Sequence, residues 1–125
     1  INREGYKSVA RQLADRFGFE KVAITLRESR SASDNGWSAM LFDAVGNEYH
    51  FSKKYDLHIV DRVGGGDAFA SGLIYAMLHD YKAMDMINFA VASSAIKHTI
   101  HGDANITDDV STIRNLMNMN YDIKR

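Results

Sequence analysis

A chain of 125 residues, 46% of them apolar, can build one domain with its own core but not two. Fifteen Lys and Arg against sixteen Asp and Glu leave a formal charge of -1, without the basic excess that favours a nucleic-acid or anionic-membrane partner. There is no Cys, which excludes disulfides, thiolate zinc sites and a cysteine nucleophile, and is compatible with a reducing cytoplasm.

The opening INREGYKSV lacks Met and enters a helix almost at once, so we expect an N-terminal part to be missing. No apolar run reaches membrane-spanning length and no charged-then-apolar leader is found, so nothing here directs secretion or insertion. Tyr6, Val9, Ala10, Leu13 and Phe17 form one stripe of an amphipathic helix that covers a sheet, and Gly18 is placed to end it. KVAITL, Lys21 to Leu26, is rich in branched apolar residues and predicts a short buried strand. RESRSASDNG reads as a polar loop. Two apolar-bearing runs, Trp37 to Asp43 and Glu48 to Ser52, flank a Gly-Asn turn and predict a hairpin.

LHIV, Leu57 to Val60, predicts one more strand, and DRVGGGDAFASG follows it directly. In DAFASGLIYAML apolar residues cover most of the circumference, as in a helix buried among neighbours. A helix over about 84–99 carries Ala90, Ala92, Ser93, Ser94 and Ala95, small enough to admit another backbone or a flat ligand. The last helix, about 107–119, has Thr107 as N-cap with Asp108 and Asp109 in its first turn. The order of elements is that of an α/β layer structure, part of an open sheet.

Three consecutive glycines, Gly64, Gly65 and Gly66, lose much backbone entropy on folding, so packing alone is a poor reason for them. A loop that leaves a strand and opens a helix aims unpaired N–H groups and the positive helix end at one point, which makes an anion site. Glycines let a phosphate approach that backbone without a Cβ in the way. Asp67 beside it would repel phosphate, and so suits a general base that takes a proton from an attacking hydroxyl. The plainer alternative is a turn of glycines with Asp67 as the helix N-cap. The stretch is neither a Walker loop nor a Gly-x-Gly-x-x-Gly fingerprint.

DRVGGGDAFASG closely resembles the C-terminal signature of the PfkB, or ribokinase-like, carbohydrate kinases, Asp-Thr-x-Gly-Ala-Gly-Asp followed by an aromatic residue and a small-residue helix. The helices and strands above follow the family's order over nearly the whole chain. Arg62 replaces the usual Thr and Gly65 the usual Ala. Arg62, TLRESRSASDNGWSA and the Gly102-Asp103 pair are most similar to the 2-keto-3-deoxygluconate kinase branch.

The resemblance implies that residues 1–125 are the C-terminal portion of a three-layer α/β/α, Rossmann-like kinase domain with a β-hairpin. Its N-terminal half, with the sugar-binding lid and the Asn-x-x-Glu motif that helps organise Mg2+, would be absent. Asp67 would be the catalytic base and Gly64, Gly65 and Gly66 the anion hole. Thr25 and Arg27 would approach the ATP phosphates, Ala90 and Ser94 would stand in one wall of the adenine pocket, and Asp103, Arg62 and Asp67 would meet the sugar. For Asp61, ordering the loop beside a monovalent cation, as in some relatives, and plain turn capping both stay open.

The implied partners are ATP and a small sugar acid, with no nucleic acid or membrane, in a cytoplasmic enzyme that is a homodimer when complete. Another acceptor, such as fructose or a nucleoside, and a nucleotide-binding module without catalysis are the competing readings. His98 and His101 have a spacing allowed for metal ligands but no thiolate or clear carboxylate beside them, and are better read as surface or capping residues. Met77, Met84, Met86, Met117 and Met119 are expected to fill gaps in the core or at helix interfaces. Trp37 is expected to pack, and Glu28 to lie in a solvated loop without a task.

Overall fold

The computed structural model describes residues 2–29, 31, 34–58, 65–98 and 110–118. Helix α1, Arg3–Phe17, starts where the Asn2 side chain accepts the Gly5 N–H at 3.0 Å and stops at Gly18, whose φ of 72° only a glycine adopts without strain. Its buried residues are Ala10 and Ala14, flanked by half-buried Tyr6 and Leu13. Val9 and Phe17, predicted to share the buried stripe, are instead exposed. The two alanines let α1 lie close to the sheet, and Phe17 turns aside to stack on Phe19 with ring centroids 5.5 Å apart.

Strand β1, Lys21–Ser29, pairs antiparallel with β2, Asp34–Asp43, from Lys21 opposite Asp43 to Ser29 opposite Asn35. The predicted polar loop is therefore largely ladder. Arg27 to Ser29, with Asn35 and Gly36 opposite, continue the pairing begun by the apolar residues, because a backbone already in register gains more from its next hydrogen bonds than polar side chains lose. On the other side of β2, β3, Glu48–Phe51, pairs with its C-terminal part and β4, Tyr55–His58, with its N-terminal part, both antiparallel. The predicted hairpin is β2–β3. Its turn has Asn47 at φ 55°, with the Asp43 carboxylate accepting the Val45 N–H. The strand predicted at Leu57 to Val60 begins two residues earlier, and Ile59 and Val60 lie outside the described residues.

Alternation along β2 divides the core between two faces. Met40 and Phe42 join Val22 and Leu26 beneath α1, while Trp37, Ala39 and Leu41 join Tyr55 on the opposite face. That second face is covered by α3, Ala83–His98, whose Ile87 and Val91 are buried in the same cluster. Helix, sheet and helix make the three layers. The last described helix, α4, Val110–Asn118, packs Ile113 and Met117 into the same cluster as α3, and Thr107, its expected cap, lies outside the described residues.

Helix α2, Gly65–Leu78, lies against α3. Only one side of it is closed: Gly65, Phe69, Gly72 and Ala76 are buried, whereas Ile74, Met77 and Leu78 are exposed, Leu78 by 76%. The all-round burial expected of this helix is not reached, because α2 leans on α3 and not on the described sheet. Met86 and Met117 fill the core as expected; Met77 and Met84 are exposed, and Met119 lies outside the described residues.

Candidate functional site

Strands β1 and β4 both run antiparallel to β2, so their C-terminal ends lie at the same end of the sheet. Helix α2 starts seven positions after His58, the last residue of β4. Its first turn contains Gly65, Gly66 and Asp67, whose N–H groups have no acceptor within the helix. The helix thus reaches two residues further back than the sequence suggested, drawing Gly65 and Gly66 in from the loop. Asp67 is its third residue, inside the helix and not at the N-cap position that the plainer alternative gave it. A carboxylate in the first turn is favoured by the helix dipole, and the Asp67 side chain is exposed.

Among the described residues nothing requires a glycine at position 66. Its φ is not positive, and a Cβ built on it would meet nothing within 4 Å. An alanine would fit there and propagate the helix better. Gly72, one turn and a half further on, is a different case. A Cβ there would lie 3.0 Å from Ser93 Cβ and 3.2 Å from Ala90 Cα, so this glycine is what lets α2 and α3 approach. The Ser93 hydroxyl completes the contact by donating to the Ala68 carbonyl at 3.2 Å.

At the C-terminal end of β1, Thr25 and Arg27 project to the sheet face that carries α3, in step with Ala23, and both are exposed. Arg27 is held by a residue that sequence reasoning passed over. Its Nε donates to Asn35 Oδ1 at 2.8 Å, and Asn35 is fully buried. Asn35 was hidden by its place in the supposed loop, although it shares parity with Trp37, Ala39 and Leu41. Glu28, expected to be idle, sits in β1 and pairs with the Lys54 ammonium at 2.5 Å, a partly exposed contact of small energetic weight.

Ala90 and Ser94, the expected adenine wall, have no exposed surface. Ala90 lies under Gly72, and the Ser94 hydroxyl accepts the Trp37 indole N–H at 2.7 Å while donating to the Val91 carbonyl at 3.0 Å. Their side chains are spent on packing, because the small residues of α3 admit a backbone, α2, and an indole. Trp37 packs as expected. Asp61, Arg62, Gly64, His101 and Asp103 lie outside the described residues. Among the described residues no three acidic, His or Cys side chains gather as a metal centre would require, and no described helix is long and apolar enough to cross a membrane.

A crystal structure of 2-dehydro-3-deoxygluconokinase from Thermotoga maritima matches with a TM-score of 0.85 at 44% identity, covering 93% of this chain and 34% of that one. A 2-dehydro-3-deoxygalactonokinase from Haloferax volcanii is 28% identical over 103 residues, which are 82% of this chain and 29% of that protein. A 5-dehydro-2-deoxygluconokinase from Clostridium botulinum is 28% identical over 111 residues, 88% of this chain and 30% of its own. The chain thus spans about a third of the length of the relatives it matches. The model of the family described as pfkB family carbohydrate kinase matches residues 35–109, from the buried Asn35 through the glycine run and α3. With its signature at the start of α2 and its three layers in the family's order, the chain belongs to the pfkB family of carbohydrate kinases.

Proposed function

We propose that residues 1–125 are the nucleotide-binding and catalytic C-terminal part of a PfkB-type kinase domain. Together with the rest of that domain, it transfers the γ-phosphoryl group of ATP to 2-keto-3-deoxygluconate, giving 2-keto-3-deoxy-6-phosphogluconate. The observation that carries the reading is the start of α2. Gly66 is bare without any need of packing or φ among the described residues, in a first turn whose N–H groups have no acceptor within the helix, next to an exposed carboxylate. An anion that must touch the backbone accounts for the glycine, and a hydroxyl that must lose its proton accounts for Asp67.

In this mechanism the sugar hydroxyl oxygen attacks the γ-phosphorus, the bond to the bridging oxygen of ADP breaks, and Asp67 takes the hydroxyl proton. The N–H groups of Gly64, Gly65 and Gly66 hold the charge of the group in transfer. Thr25 and Arg27, at the same end of the sheet, face the ATP phosphates, and Asp103 and Arg62 meet the sugar. Ala90 and Ser94 serve the nucleotide site only by letting α2 and Trp37 pack closely. Mg2+ would neutralise phosphate charge; the described side chains form no cluster to hold it, so no step is assigned to it. A monovalent cation near Asp61, a homodimer and a cytoplasmic setting belong to the same reading.

Two surfaces support the incompleteness of the domain. The nine-residue β1 pairs with β2 alone among the described strands, leaving a long open edge, and α2 exposes Ile74, Met77 and Leu78. The remaining two thirds of a kinase of its relatives' length would cover both. The sugar follows the Thermotoga relative at 44% identity; the Clostridium relative, named for another keto-deoxy sugar acid, favours that class as the second reading. The test is phosphoryl transfer by the full-length protein, with 2-keto-3-deoxygluconate, 5-keto-2-deoxygluconate, fructose and a nucleoside compared by kcat/KM. Preference for 2-keto-3-deoxygluconate is expected. Preference for fructose or a nucleoside overturns the substrate, and ATP binding without transfer to any of the four overturns catalysis.

A further inference from the structure

We infer that Asn35 is a positioning residue that holds the Arg27 guanidinium in a fixed orientation for the oxyanions of a nucleoside triphosphate, an inference that rests on the kinase reading above. Asn35 is fully buried on the face of β2 that also carries Trp37, Ala39 and Leu41. The residue opposite it on β4 is Leu57. An apolar side chain would suit this place, and an amide there loses its water. The bond it receives in return is specific. Arg27 lies diagonally across the β1–β2 ladder from Asn35, and its Nε donates to Oδ1 at 2.8 Å.

Because an arginine has donors only, the bonded amide atom must be the oxygen, which leaves the Asn35 Nδ2 without a partner among the described residues. A residue kept merely to tie two strands would carry that orphaned donor for no gain. The gain is on the Arg27 side. An exposed arginine ordinarily samples many rotamers, and ordering it on binding costs affinity. Anchoring Nε ahead of binding leaves the two terminal nitrogens as a preset fork for oxyanions. Arg27 presents that fork at the C-terminal end of β1, the end of the sheet from which β4 leads to the glycines and the first turn of α2.

The test uses the full-length kinase with Arg27→Ala, Asn35→Leu and the double variant, measuring Kd and KM for ATP together with KM for the sugar. Asn35→Leu should weaken ATP binding about fivefold and leave the sugar KM unchanged, since it removes one bond to a charged group. The double variant should bind ATP no worse than Arg27→Ala alone, because Asn35 acts through Arg27. Losses that multiply in the double variant, or an unchanged ATP Kd in Asn35→Leu, overturn the inference while the wild-type kinase stands. A wild-type protein that binds no ATP removes the kinase reading, and the inference with it. Should Asn35→Leu fail to fold, the Arg27 Nε–H resonance of the wild type decides: slow exchange with water before ATP is added is expected, and exchange as fast as that of a solvated arginine overturns the anchoring.

Discussion

Gly66→Ala should stabilise the fold of this chain while damaging its proposed chemistry. In a helix a glycine is less favourable than alanine by roughly 0.5–1 kcal/mol, through the backbone freedom it loses on folding. Position 66 is in the first turn, where fewer hydrogen bonds depend on it, so about 0.5 kcal/mol is the expected gain. Among the described residues nothing offsets it, since an added Cβ has no atom within 4 Å and the φ is not positive. For a chain of this size that corresponds to a rise in Tm of about 2 °C. In the full-length enzyme the same methyl group would stand between the backbone donors and the phosphate. Displacing the reacting group by about 1 Å costs on the order of 10²-fold in kcat. Calorimetry on the 125-residue chain and steady-state kinetics on the full-length protein give the two numbers. A raised Tm with unchanged kcat would show that the bare backbone is not needed, and a lowered Tm that the environment of Gly66 has been misjudged.

Gly72→Ala should do the reverse of Gly66→Ala, destabilising by about 1–3 kcal/mol in urea denaturation because its Cβ meets the Ser93 and Ala90 positions of α3 at 3.0 and 3.2 Å. Leu78→Lys together with Ile74→Lys should reduce self-association of the 125-residue chain in sedimentation velocity, as both positions are more than half exposed and apolar. In the full-length protein the same pair should lower Tm, where the rest of the domain covers α2. Asp103→Ala should raise the sugar KM much more than the ATP KM, since a carboxylate accepts hydrogen bonds from hydroxyls and gains nothing beside phosphates.

The features legible in the sequence were those in which one local pattern had a single physical outcome. Gly18 after an amphipathic run could only end a helix, and Gly-Asn between two apolar runs could only turn a hairpin. The signature was equally plain, since three glycines before an Asp and a small-residue helix combine backbone freedom, charge and packing. What escaped depended on partners far away in the chain. The polar residues at 27–29 and 34–36 joined the ladder because the apolar residues beside them had already set its register. Asn35 could be recognised as buried only once that register put it on the face of Trp37 and Ala39. Ala90 and Ser94 looked like room for a flat ligand, but the room is taken by α2 through Gly72 and by the Trp37 indole. The bare side of α2 was invisible because the apolar residues of DAFASGLIYAML go round the helix, and only its packing on α3 shows which of them are covered.

Asp67→Asn in the full-length enzyme, followed by single-turnover transfer from ATP to 2-keto-3-deoxygluconate, tests the central claim most directly. Asn keeps the shape of Asp67, and as the third residue of α2 it is not called on to cap the helix, so fold and donor geometry should survive. Only the proton acceptor is lost. The transfer rate should fall by roughly two to four orders of magnitude while the ATP Kd changes little. A single-turnover rate within a factor of a few of the wild type would contradict the assignment of Asp67 as the base, and with it the mechanism built on the start of α2.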